Sequence, residues 1–375
     1  MKIPIIGKPL EISLKLTGFW NEEVNKVVLA LMWSSVLTTM PFSVWVAIRM
    51  SKNPLMLFDN LSVLLAQVLL YSKLLIFSYN RRLLRNLLRE MESDFESDPQ
   101  LLRYIELSGD DPRRFCKYDF FVYLGSSALF WVQIGFMYVA VPVEMREPVF
   151  KVHYPFDYKS SPVYEVLVLT QVIQGMLQCC IQAFSESLLI ALVSYVCAQI
   201  DTLFARMEEF SKMCVSDDKR NLPRLSQPVY KQHIKVLNVF EKLNKIYFYV
   251  TFFQVFFTTV VICLSGFVVI VISDDPTILV KFAGYYFCSC WQIFSFCLAG
   301  QRLLNKSDKI SMKMYETIWY KTSIKEIHAV AFIIKRSQKP LMLSVAKSTE
   351  LSMTTFTQIM KTSFSCLSVL RARYN

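Results

Sequence analysis

Charge is scarce in this sequence. Asp, Glu, Lys and Arg make up 19% of its 375 residues, where a soluble chain carries about 25%. Glycine is scarce too, at 9 residues, and there is no Gly-rich phosphate loop, no nucleophile elbow and no HExxH helix. Histidine is nearly missing: His153, His233 and His328 stand apart in what read as loops, without the spacing that would hold a metal. These absences argue against an enzyme and against a bound cofactor. The N-terminal stretch MKIPIIGKPLEISLKLTGFWNEE has neither a continuous apolar core nor a small-residue cleavage site. No secretory leader is therefore expected, and the first span is expected to act as its own signal anchor.

Apolar residues are what the chain has in abundance: 54% of positions are hydrophobic, 29 are Phe, and the mean hydropathy is +0.36. Apolar runs long enough to cross a hydrocarbon layer of roughly 30 Å recur along the whole length. Residues 27–48, 120–143, 166–185, 246–273 and 282–301 contain no charge, 55–72 contain only Asp59, and 351–370 only Lys361. The run at 166–185 continues past Glu186 to Ile200, and Glu186 is expected at the inner boundary in a solvated role. The fold class expected is all-α: one polytopic membrane domain over residues 1–375, with seven transmembrane helices.

The net charge of +11 could suggest nucleic acid, but its distribution does not. Thirty of the 41 Lys and Arg fall in residues 1–26, 79–117, 199–245 and 302–340, and seven fall in the alternate connections and the C-terminus. The remaining four, Lys73, Lys281, Lys347 and Lys361, lie in or beside spans. Basic loops stay on the cytoplasmic side, so the N-terminus is expected inside and, after seven spans, the C-terminus outside. That is inverted relative to a G-protein-coupled receptor. The ten cysteines lie in or near spans or in the basic loops, so no external disulfide framework is visible; small buried apolar residues is the simpler reading.

The last span is the most polar one. On a helical wheel, Thr354, Thr355, Thr357, Gln358, Lys361, Thr362, Ser365 and Ser368 share one arc of about 160°, with Phe356, Ile359, Met360, Phe364 and Leu367 elsewhere. A polar stripe in hydrocarbon must face protein or water. Either the hydroxyls bond their own helix or glue neighbouring helices, or the stripe faces an aqueous pathway. One helix cannot enclose a pore, so the second alternative requires several copies around an axis.

Several residues resemble the pattern of the insect odorant receptor family. They are Gly300-Gln301 with Leu303 at the end of the sixth span, then Trp319, Gln338-Lys339-Pro340-Leu341, Phe356, Lys361-Thr362-Ser363 and Leu370-Arg371, together with Tyr154-Pro155-Phe156-Asp157 in the second outer loop. The resemblance implies a tuning subunit of an odorant-gated cation channel in the dendritic plasma membrane of olfactory sensory neurons. It would assemble as a tetramer with the odorant-receptor coreceptor, and the last helix of each subunit would line the pore. Aligned from the C-terminus, the family pattern puts the narrow gate near Cys366, with Leu370 one turn further out and Gln358 and Thr362 further in. The resemblance also places a small volatile ligand in the outer half of the bundle, between spans two, three, four and six. The residues offered there are Tyr71, Phe130, Trp131, Tyr138, Val172, Met176, Phe282, Tyr285 and Tyr286. For residues 302–340, where Trp319, Ile324, Ile327, Ala331 and Ile334 can share a helix face, two readings stay open: lying on the membrane, or packing into an anchor that holds subunits together. The rival classes are a G-protein-coupled-like chemoreceptor, which needs an inner C-terminus, and a secondary transporter, which would show paired broken spans.

Overall fold

The computed structural model describes residues 3–17, 54–108, 111–140, 160–215, 226–271, 276–345 and 349–374, with Phe19, Pro41, Val44 and Trp45 besides. Among these the chain is a helical bundle. Its elements in order are α1 (Lys8–Leu16), α2 (Pro54–Tyr79), α3 (Arg81–Ser97), α4 (Gln100–Leu107), α5 (Pro112–Ala140), α6 (Val163–Val215), α7 (Ser226–Val271), α8 (Pro276–Ser307), α9 (Lys309–Tyr315), a 3-10 turn (Trp319–Lys321), α10 (Ile324–Ser337) and α11 (Met353–Tyr374). Between α10 and α11 two short antiparallel strands, β1 (Ser344–Val345) and β2 (Thr349–Glu350), pair with Ser344 opposite Glu350.

The membrane helices are long because little interrupts them. Pro54, Pro112 and Pro276 stand at the first positions of α2, α5 and α8, where a missing N–H costs nothing and a fixed φ suits the helix. Helices α2, α6, α7 and α8 are long and apolar enough to cross a membrane. The expected spans after the first fall on α2, α5, α6, α7, α8 and α11; the first, residues 27–48, lies almost wholly outside the described residues. The 53 residues of α6 and the 46 of α7 run about 80 and 70 Å at 1.5 Å per residue. Both are more than twice the hydrocarbon thickness, so they continue past the membrane into an inner layer built with α3, α4, α9 and α10.

That inner layer carries most of the core. Leu84, Leu87, Leu88, Met91 and Phe95 form the buried stripe of α3, at the spacing of an amphipathic helix. Lys235 and Lys242 of α7 hold Asp94 and Glu90 at 2.6 and 2.5 Å. At the membrane boundary Phe19, Phe77, Phe184 and Tyr247 meet ring to ring at 5.4–6.1 Å. Helix α1 buries Leu10 and Leu14 against α5 and α6.

Two expectations need correction. Neither His233 nor His328 is in a loop: His328 stands exposed on α10, and His233 is 1% exposed on α7, where its Nε2 lies 3.2 Å from Ser337 Oγ. The residue falls inside the helix because α7 begins 20 positions before the apolar run at 246. Glu186 is not solvated but 1% exposed, because α6 does not end at the membrane boundary and neighbouring helices cover it there. Helix α10 buries Glu326, Val330, Ile333 and Ser337; of the face expected there, Trp319 and Ile334 pack partly against the core, Ile327 is half-buried, and Ile324 and Ala331 are exposed. The ten cysteines are free thiols.

Candidate functional site

A cavity of about 230 Å³ opens between α2, α5, α6, α7 and α8. From α2 come Ser62, Val63, Ala66 and Leu70; from α5, Tyr123, Ser126 and Ser127. Helix α6 presents Gly175, Gln178, Cys179 and Gln182. Helix α8 supplies one long wall, from Val280 to Gln292, and α7 contributes Val261. The wall mixes apolar surface with a few hydroxyls and amides, as expected for a small weakly polar ligand. Most of those polar groups are committed. Ser62, Ser126 and Ser127 donate to the backbone oxygens of Phe58, Tyr123 and Leu124 at 2.8–2.9 Å. Gln292 Oε1 accepts from Gln254 at 2.9 Å.

The deep end of the cavity rests on a buried polar network. Lys73, fully buried on α2, donates to Gln182 Oε1 and Ser185 Oγ, both at 2.9 Å. Tyr123 donates to Glu186 Oε1 at 2.6 Å. Asp119, fully buried at the start of α5, accepts from Ser187 at 2.8 Å and from Trp291 Nε1 at 3.0 Å. One buried cation therefore stands among two buried acids. Buried charges persist when opposite charges and hydrogen bonds surround them; each of the three has at least one hydrogen bond, while Glu186 Oε2 has none. Gln182 and Tyr123 belong both to this network and to the cavity wall.

Helix α8 joins the cavity to the last helix. Its Trp291 lies 6.0 Å from Phe294, and Phe294 meets Phe356 of α11 edge-on at 5.8 Å. Further along, Gln301 Oε1 accepts the Met353 N–H at 3.1 Å, at the first turn of α11. Gly300 lies against Leu351 so closely that a Cβ there would stand 2.7 Å from Leu351 Cβ. Helix α11 packs on α7 and α8 through Thr355, Ile359, Ser363 and Leu367, which are four residues apart and so form one stripe. The opposite side, Thr354, Thr357, Gln358, Lys361, Thr362, Ser365 and Ser368, is exposed.

Of the residues expected to meet a ligand, Tyr285 lines the cavity. Tyr71 sits behind that wall in a buried cluster with Leu70, Leu74 and Ile181. Phe282 is buried, 6.1 Å from Tyr285 ring to ring, and Tyr286 lies beside Gly266 of α7. Val172 is half-buried and Met176 is exposed; neither lines the cavity. Phe130, Trp131 and Tyr138 fall on the part of α5 whose side chains lie outside the described residues. Among the pore positions, Gln358, Thr362 and Cys366 are exposed in the single subunit, and the side chain of Leu370 lies outside the described residues. Wall residues that were not expected include Gln178, Gln182, Gln292 and Tyr123. A signal for two of them was present: Gln171, Gln174, Gln178 and Gln182 recur every three or four residues in a charge-free span, the same kind of polar stripe as on α11.

A family model described as 7tm Odorant receptor matches residues 53–364. Odorant receptor 85c of Drosophila melanogaster is 26% identical over 222 residues, 59% of this chain and 56% of that protein. Odorant receptor 10 of Aedes albopictus is 24% identical over 219 residues, 58% of each chain. The match thus spans less than two thirds of either relative's length. Among solved structures, the fold is similar to the insect olfactory receptor OR5 from Machilis hrabei in complex with eugenol, with a TM-score of 0.78 at 16% identity, over 98% of this chain and 97% of that one.

Proposed function

This chain belongs to the 7tm Odorant receptor family, a receptor family and not an enzyme family, and on that premise we propose that it is the ligand-binding subunit of an odorant-gated cation channel. A small volatile molecule occupies the cavity between α2, α5, α6, α7 and α8. The exposed polar face of α11 lines a pore formed with neighbouring subunits, a tetramer that includes the odorant-receptor coreceptor. Gln358 and Thr362 face the water column, and the gate lies at Cys366 and Leu370, where a hydrophobic constriction closes by dewetting. The inner layer, with the exposed Tyr315, Tyr320, Ile324 and Phe332, is the anchor between subunits. The basic inner loops put the N-terminus in the cytoplasm and the C-terminus outside, in the dendritic plasma membrane.

The observation that carries this reading is that one helix serves both ends. Helix α8 forms a long wall of the cavity and, through Phe294, Gly300 and Gln301, holds the first turns of α11. A ligand that prefers one position of α8 biases α11 by its difference in affinity between the two positions. The polar face of α11 supports the pore assignment, because among the described residues no helix covers it and hydrocarbon would leave its amide and ammonium groups unsatisfied.

The test is expression with the coreceptor, an epitope after Asn375, and a panel of volatiles. Surface staining without permeabilisation together with volatile-evoked cation current is expected. A C-terminus that stains only after permeabilisation would rule out the channel topology and favour the G-protein-coupled class.

A further inference from the structure

The cavity's unpaired hydrogen-bonding capacity identifies the kind of ligand it takes, given that the cavity is the ligand site. Among the described residues, Gln178 lines the cavity, and its amide nitrogen Nε2 is buried just behind the wall surface without a hydrogen-bond partner. It does not stand alone. One layer behind the wall, Gln67 is 1% exposed with both amide atoms unpartnered, and the Tyr71 hydroxyl is buried and unpartnered as well. Gln67 lies one turn before Tyr71 on α2, and Gln178 one turn before Ile181 on α6; Tyr71 and Ile181 share a cluster with the wall residue Leu70. Native proteins rarely leave several buried polar groups in one place unsatisfied, and each asks for an explanation.

Seven other polar side chains of the wall have partners: the Lys281 ammonium stands over the Phe282 and Tyr285 rings at 5.9 and 6.0 Å, and six more are hydrogen-bonded. The hydroxyl protons of Ser62, Ser126 and Ser127 go to backbone oxygens, that of Tyr123 goes to Glu186, and the amide oxygens of Gln182 and Gln292 accept from Lys73 and Gln254. What the Gln178 amide offers is a donor. A buried donor without an acceptor carries a desolvation cost that a ligand oxygen removes and an isosteric hydrocarbon does not. Volume sets the size. A dry cavity of about 150 Å³ accepts benzene, so about 230 Å³ accepts a ring or short chain bearing a small substituent.

We infer that the cavity is built for a small apolar ligand carrying one hydrogen-bond acceptor oxygen, a ketone, aldehyde or ester, and that the Gln178 amide, turned towards the ligand, is the donor that reads this oxygen. Specificity then comes from a polar group that would be left unpaired by the wrong ligand, a stronger discriminator than shape alone.

The probes are carbonyl compounds and hydrocarbons of the same shape: acetophenone against α-methylstyrene, and cyclohexanone against methylenecyclohexane. The full chain is expressed with the coreceptor, surface level is measured by the C-terminal epitope, and dose–response curves are recorded for wild type, Gln178→Met and Gly284→Phe. Methionine keeps the volume of glutamine and removes the unpaired amide, so folding is expected to be unaffected. Gly284 faces open space, with nothing within 4 Å of an added Cβ, so phenylalanine there fills the cavity.

Wild type is expected to favour the carbonyl member of a pair by about ten-fold, equivalent to about 1.4 kcal/mol. Gln178→Met should bring the pair to parity by weakening the carbonyl member alone. Gly284→Phe should abolish the response to both. Surface-expressed wild type that answers to no carbonyl compound, or a Gln178→Met chain that shifts both members equally, overturns the inference while Gly284→Phe still upholds the cavity. A Gly284→Phe chain that keeps its responses overturns the cavity as ligand site.

Discussion

Replacing Gly300 by alanine adds one methyl group at the place where α8 meets the entrance to α11. That methyl would stand 2.7 Å from Leu351 Cβ and closer still to the Leu351 carbonyl oxygen. Ordinary contact begins at 3.4 Å, so Leu351 would have to retreat by about 0.7 Å at least. It has little freedom to do so: it is 2% exposed, its N–H donates to Leu343 O at 2.8 Å, and two residues on, Met353 is held by Gln301. Overpacking costs about 1–3 kcal/mol, and losing the Leu351 hydrogen bond about 1 kcal/mol more. Alanine in a helix gives back about 1 kcal/mol relative to glycine, for a net loss of about 1–3 kcal/mol. Two other glycines supply the scale. At Gly266 an added Cβ meets the far end of Leu367 at 3.0 Å, a flexible tip, and at Gly284 it meets nothing. Thermal unfolding of the detergent-purified protein should therefore rank Gly284→Ala above Gly266→Ala, with Gly300→Ala clearly lowest. Because the same methyl displaces the start of α11, Gly300→Ala should also change resting current at equal surface level. A Gly300→Ala protein as stable as Gly284→Ala, with unchanged gating, would refute the idea that α8 holds α11 by backbone contact.

The remaining expectations follow from single groups. Lys73→Met removes the cation that faces Glu186 and Asp119 among the described residues and should cost about 3–5 kcal/mol, seen as loss of surface protein; adding Glu186→Gln should recover part of it, and no recovery would mean that the three do not act as one network. Burial and the nearby Arg336 push the His233 pKa down from 6.5 to about 4, so the unfolded chain binds more protons between those values. Stability should be full above about pH 6.5 and fall on acidification towards 4, and His233→Gln should flatten that dependence in a pH series of melts. Thiol reagents applied from outside should block current through Cys366, or through Cys placed at Thr362 or Gln358, and should leave Cys at Phe356, Met360 or Leu367 unmodified; equal reaction on both faces of α11 would mean that the stripe lines no pore.

The helices were legible in the sequence because hydropathy is a local property: a run of twenty apolar residues needs no partner to be recognised. The expected orientation rests on a local property as well, the charge of the loops. What escaped was every feature that depends on which helices meet. Lys73 bonds Gln182 across 109 positions, Tyr123 bonds Glu186 across 63, and Trp291 bonds Asp119 across 172. Counting along α6 put Glu186 near the inner boundary, but no count along one helix reveals that α2 and α5 bury it there. His233 was misplaced for the same reason, since a polar stretch before a span reads as a loop until the inner layer that buries it is seen. The glutamine stripe of α6 is a different kind of miss. It could have been found by the wheel that was applied to the last span. The residues expected in the outer half are mostly aromatic, and aromatics in a membrane bundle mostly pack against one another, as Phe252, Phe253, Phe256 and Phe257 do along α7.

The two polar stripes, on α6 and on α11, are opposite solutions to one constraint. Hydrocarbon offers nothing to an amide or a hydroxyl, so a polar face on a spanning helix needs an occupant. On α6 the occupants come from the same chain: Gln171, Gln174 and Gln182 are 8% exposed or less, and Lys73 bonds Gln182. On α11 the serine and threonine hydroxyls return to their own helix, Thr357 to Met353, Ser365 to Lys361 and Ser368 to Phe364. That device satisfies hydroxyls alone. Gln358 and Lys361 have no such local remedy and stand exposed on the same face. If the stripe existed only to bond its own helix, serine and threonine would suffice. An amide and an ammonium group on that face require neighbours or water that the described residues of one subunit do not supply, which is why the most polar span of the chain argues for an assembly.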